Sequence, residues 1–192
     1  LGASEYTLVT IACDASSSVL GFKTQMEGCI KQIIEACKKS PRADNLMIRL
    51  TQFGSNLTEL HGFKLLQNIN MSDYDGILNV GGMTALCDAS QNAVWATAEY
   101  GKTLMEQDFD TNAVVFVITD GMENHSTLNQ GHVKEALQEA LKNEHLESLV
   151  SVLVGVNVNE PQISQGLNQF QQDCCFDNYV EVANADAKTL AK

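Results

Sequence analysis

Apolar positions along the chain fall into two alternating rhythms. Tyr6-Thr7-Leu8-Val9-Thr10-Ile11-Ala12-Cys13 is a short, β-branched and nearly uncharged run, the pattern of a strand covered on both faces. From Phe22 the apolar residues Met26, Cys29, Ile30, Ile33, Ile34 and Cys37 recur every three or four positions with Lys and Glu between them, which predicts an amphipathic helix ending near Ser40-Pro41. A second strand reads Leu46 to Phe53. Gly54-Ser55-Asn56 then supplies turn chemistry before a more polar extended stretch, Leu57 to Leu66, of edge-strand character.

The alternation continues beyond the Gly81-Gly82 turn. Leu86, Ala89, Ala93, Ala96, Tyr100 and Leu104 mark a long helix, and Ala113 to Thr119 a strand. Val133, Leu137, Ala140 and Leu141 mark the next helix, followed by a strand from Leu149 to Val156. Ile163, Leu167 and Phe170 mark another helix, and Tyr179 to Val182 a last strand. Strands alternating with helices imply right-handed crossovers and a mostly parallel sheet with helices on both faces: an open, doubly wound α/β domain. Its length of 192 residues suits a single domain spanning 1–192.

Charge and cysteine content then narrow the function. A net charge of -12 leaves no basic stripe for nucleic acid and disfavours an anionic membrane surface; no apolar run is long enough for a spanning helix. Six cysteines are too sparse for a disulfide scaffold, so free thiols are expected, with Cys13, Cys29 and Cys37 as small buried hydrophobes. Adjacent Cys174 and Cys175 lack the C-x-x-C spacing of a redox or zinc pair. His61, His132 and His145 have no second ligand at zinc spacing, and Trp95, among alanines on a helix, is expected to pack. The chain begins Leu1-Gly2-Ala3-Ser4 with neither initiator Met nor signal peptide, so an excised domain and a cytoplasmic location are expected.

Doubly wound sheets bind ligands at the carboxyl ends of their strands, near the switch point. Both of the most apolar strands end in aspartate there: Asp14 after Cys13 and Asp120 after Thr119. Asp14-Ala15-Ser16-Ser17-Ser18 sets hydroxyls at alternate positions after the acid, and Gly81-Gly82-Met83-Thr84 delivers another at a helix start. Hard oxygen donors in this pattern suit a hard cation. Helix capping by the serines or by Thr84, and a turn role for Asp120 before Gly121, are the competing explanations. Glu123 and His125 follow Asp120 and flank the same loop.

With these residues in view, the chain resembles the von Willebrand factor A-type domains. Their metal-ion-dependent adhesion site (MIDAS) has the pattern D-x-S-x-S, then Thr, then Asp. Asp14, Ser16 and Ser18 match the first element, Thr84 the second and Asp120 the third. The resemblance covers nearly the whole chain and implies a six-stranded sheet with one antiparallel edge strand, Leu57 to Leu66. It implies Mg²⁺ as the ion, with Mn²⁺ or Ca²⁺ as substitutes, and a binding module whose protein partner offers an Asp or Glu side chain. Residues after Asn184 are expected to begin a final, truncated helix. The alternative is a metal-dependent phosphatase or hydrolase with Asp14 as nucleophile, as in haloacid-dehalogenase-like enzymes. Those resemble D-x-D, however, and position 16 is serine.

Overall fold

A computed structural model of the chain describes residues 4–182, so the helix expected after Asn184 lies outside the described residues. Six strands form one sheet: β1 (Glu5–Asp14), β2 (Leu46–Phe53), β3 (Leu57–Leu65), β4 (Asp110–Thr119), β5 (Ser148–Val156) and β6 (Asn178–Val182). Their order is β3-β2-β1-β4-β5-β6. Only β3 runs antiparallel, against β2; the other neighbours are parallel. The expected architecture and its antiparallel edge strand are therefore observed.

Four α-helices occur among the described residues: α1 (Lys23–Lys38), α2 (Leu86–Met105), α3 (Gln130–Lys142) and α4 (Pro161–Cys174). Alternate residues of β1 explain the layering: Leu8 and Ala12 join a core with α2, α3 and α4, whereas Val9, Ile11 and Cys13 join a second core with α1. With both faces covered, β1 is the central strand that its uncharged sequence predicts. A buried hydrogen bond of 2.6 Å between the Thr10 and Thr97 hydroxyls pins α2 onto β1.

Leaving β1 the chain turns toward β2, and leaving β4 it turns toward β5, so the switch point lies between the ends of β1 and β4. Register places Cys13 beside Ile118 and Asp14 beside Phe53 at the same sheet edge. All six cysteines are free thiols; Cys13 and Cys29 are buried as expected, Cys174 is buried and Cys175 exposed. No helix among the described residues is long and apolar enough to cross a membrane. Trp95 departs from expectation. It stands 55% exposed on the outer ridge of α2 because Ala93, Val94 and Thr97 take the inward positions.

Candidate metal centre

Asp14 ends β1 with no solvent exposure, and both of its oxygens are held. Oδ1 accepts the Ser16 amide at 2.8 Å and Oδ2 accepts the Thr119 hydroxyl at 2.7 Å. The first bond curls the chain back after the strand, and a 3-10 turn over Ser17–Phe22 follows where the sequence suggested only loop. That curl sets the Ser16 and Ser18 hydroxyl oxygens 3.0 Å apart.

Two backbone bonds lock this loop to the next. The Gly81 amide donates to the Ala15 carbonyl at 2.7 Å and the Ser17 amide to the Gly82 carbonyl at 3.0 Å. Glycine is required here for steric reasons: Gly82 has φ +83°, and a Cβ on it would lie 2.6 Å from the Ser55 hydroxyl, while one on Gly54 would collide with the Gly81 carbonyl. Thr84, buried at 5% exposure, follows two residues after Gly82. Its amide donates to Asn124 Oδ1 at 2.8 Å and its carbonyl accepts the Asn124 amide at 3.1 Å, which joins the second loop to the one after Asp120.

Ser16 occupies the cap position of the 3-10 turn and Ala85 that of α2, and neither makes a side-chain cap hydrogen bond. The amide of Cys87 in the first turn of α2 is served from outside by Glu123 Oε2 at 2.7 Å. Glu123 also accepts the His125 amide at 2.7 Å and the Ser126 amide and hydroxyl at 2.6 Å. Burial alone would raise its carboxyl, but these bonds hold it below its usual value. Glu123 therefore supports the loop architecture, and His125 contributes its backbone. Sequence reasoning missed Thr119 and Asn124 altogether; Thr119, a hydroxyl beside Asp120 at a strand end, was the available signal.

Electrostatics leave this edge unbalanced. Burial pushes the Asp14 carboxyl up to about 6, against the hydrogen bonds from Ser16 and Thr119 that lower it, and the Asp120 charge adds to the rise. Asp120 Oδ1 is buried without a hydrogen-bond partner. A buried carboxylate oxygen left unpaired is costly, and a cation beside it removes that cost. The structure thus brings Asp14, Ser16 and Ser18 together, ties the loop that carries Thr84 to theirs through Gly81 and Gly82, and sets Asp120 near enough to raise the Asp14 carboxyl. Among the described residues no cluster of three His, Cys, Asp or Glu suited to a metal occurs. The candidate set is of another type, two carboxylates and three hydroxyls, and its chemistry fits a hard cation.

Comparison with solved structures sets this geometry in context. The PilB minor pilin from Streptococcus sanguinis matches 100% of this chain and 61% of its own length, at TM-score 0.66 and 16% identity. A von Willebrand factor type A structure from Catenulispora acidiphila matches 98% of this chain and 41% of its own, at TM-score 0.65 and 16% identity. The fold is that of von Willebrand factor A-type domains. Proximal thread matrix protein 1 from the mussel byssus, solved with a zinc-occupied MIDAS motif, shares this A-type fold at TM-score 0.61 and 18% identity, over 97% of this chain and 44% of that one. The chain thus spans between 41% and 61% of these neighbours. No family model matches its sequence, and no curated protein does.

Proposed function

We propose that residues 1–192 act as one A-type domain that binds Mg²⁺ through Asp14, Ser16, Ser18, Thr84 and Asp120 and uses the ion to hold a carboxylate of a partner protein. The observation that carries this reading is the buried, unpartnered Asp120 Oδ1 beside an Asp14 carboxyl raised by burial. That edge is costly alone and is relieved by a cation. The uncapped roles of Ser16 and Thr84 support it, because their hydroxyl oxygens are not consumed by helix ends. The zinc-occupied MIDAS of the mussel protein supports a divalent ion in this fold. Mn²⁺ or Ca²⁺ would serve as substitutes.

Charge counting supports the carboxylate. Hydroxyl donors leave the ion most of its charge, so an acid from a partner is drawn to it, above all where Thr84 binds directly and Asp120 acts through water. The net charge of -12 opposes an acidic partner at long range, but salt screens exposed charges beyond about 8 Å, whereas contact with the ion is short-ranged. Turnover is not part of the reading: with serine at position 16, no acid stands where leaving-group protonation needs one. Six free thiols support a reducing, cytoplasmic setting.

Calorimetric titration with Mg²⁺ and Mn²⁺, for the natural chain and for Asp14→Ala, tests the reading. Binding by the first and none by the second is expected; equal binding by both removes these ligands from consideration.

A further inference from the structure

Trp95 lies far from the candidate ion and is used by nothing described above. It sits nine residues along α2 from Leu86, about 14 Å at a rise of 1.5 Å per residue, away from the edge that carries Thr84. Two cavities meet at its ring. One, of about 250 Å³, runs between α2 and α3; the other, of about 370 Å³, lies between α2 and the edge strand β3. Alanines create the first, since Ala98, Ala136 and Ala140 line it where larger side chains would close the gap between the helices. Phe63 and Tyr100, stacked at 4.4 Å, help to line the second.

Acidic groups dominate the exposed charge around the ring, although His132 and His145 also line the first cavity and Arg49 the second. Glu99 borders both cavities, and Glu135 and Glu139 border the first; all three are exposed, and among the described residues none of them forms an ion pair. No lysine lines either cavity, and Arg49, the one arginine, gives Nε to Glu59 at 2.6 Å and Nη2 to Asn92 at 3.1 Å, with its Nη1 buried rather than presented to the ring. An exposed indole ringed by unpaired carboxylates favours a cation: its face attracts the charge, the carboxylates steer it, and the alanine floor accepts an aliphatic stem.

We infer that the Trp95 ridge of α2, with its two flanking cavities, is a second docking surface, for a basic segment of a protein that lays Arg or Lys on the indole between Glu99, Glu135 and Glu139. It works independently of the metal, so one chain can hold an acidic group at the sheet edge and a basic segment on α2.

Trp95 is the single tryptophan, so its fluorescence reports on this surface directly. The probe is a short end-blocked peptide alternating arginine with leucine, and the control is the same peptide with glutamate for arginine. The expected result is a saturable change in Trp95 emission with the first peptide only, unaltered by a chelator. By calorimetry, Trp95→Ala and the combined Glu99→Gln, Glu135→Gln and Glu139→Gln variant should each weaken binding about tenfold, the loss expected when a cation–π contact and its surrounding charges are removed. Trp95 is half-exposed, so its replacement should leave the circular dichroism spectrum unchanged. As a charge control, Glu35→Gln, Asp44→Asn and Asp73→Asn together remove the same charge on the α1 side of the sheet and should have little effect. Equal weakening by that control, binding that survives Trp95→Ala, or a requirement for Mg²⁺ would each overturn the inference. So would a concentration-dependent emission shift without peptide, which would assign the ridge to a second copy of the chain.

Discussion

Asp14→Asn should stabilise the metal-free domain while destroying its response to metal. The carboxyl is fully buried and raised from 3.8 to about 6, so at neutral pH the folded state carries a charge it disfavours. Two units at 1.36 kcal/mol each give a burden on the order of 3 kcal/mol. Asparagine removes the charge and keeps the contacts. Its oxygen can accept the Ser16 amide, and its NH₂ can donate to the Thr119 hydroxyl, which then turns to the Gly121 carbonyl 3.0 Å away. For a chain of this size, roughly 2–4 °C per kcal/mol predicts a rise in melting temperature of about 6–12 °C at pH 8 in chelator. The pH dependence follows from the sign of the shift. Between about 4 and about 6 the folded state holds a proton that the unfolded state has released, so stability of the metal-free chain falls as pH rises through that window and is level above it. Asp14→Asn should lack that fall. Scanning calorimetry from pH 4 to pH 8, with chelator and with saturating Mg²⁺, is the assay. A variant less stable than the natural chain at pH 8 in chelator, or one that Mg²⁺ still stabilises, would refute the reasoning.

Three further outcomes follow from the same geometry. Ser16→Ala and Ser18→Ala should weaken Mg²⁺ binding without unfolding the metal-free domain, because neither hydroxyl caps a helix; circular dichroism and calorimetry read the two effects separately. Glu123→Ala should cost roughly 2–3 kcal/mol in urea unfolding, because a charged acceptor is lost and the Cys87, His125 and Ser126 amides lose their partner. Thr84→Ala should impair a Mg²⁺-dependent complex more than Mg²⁺ binding itself, and replacing the partner's acidic residue by alanine should remove the Mg²⁺-dependent part of the affinity, both measurable by surface plasmon resonance with and without chelator.

Periodicity carried most of the fold, because central parallel strands buried on both faces read as unbroken apolar runs, and amphipathic helices as stripes. The 3-10 turn at Ser17–Phe22 was not legible, since it depends on the Asp14 carboxylate turning back onto the Ser16 amide. Trp95 misled for a related reason. Neighbouring alanines suggested packing, but which side of α2 faces the sheet was decided by Ala93, Val94 and Thr97, and the tryptophan fell on the outer ridge. At the candidate centre the five proposed donors were named from residue types and spacings alone. The supports were not: Asn124 on Thr84, Thr119 on Asp14 and Glu123 on the first turn of α2 join segments far apart in sequence, and only the fold brings them together.

A crystal grown with Mn²⁺, read by its anomalous scattering, tests the central claim most directly. The account predicts one strong peak at the carboxyl edge of β1 and β4, with the hydroxyl oxygens of Ser16, Ser18 and Thr84 in its coordination sphere and Asp14 and Asp120 bound directly or through water. An ion seated elsewhere, or no peak at that edge in the presence of saturating Mn²⁺, would contradict it.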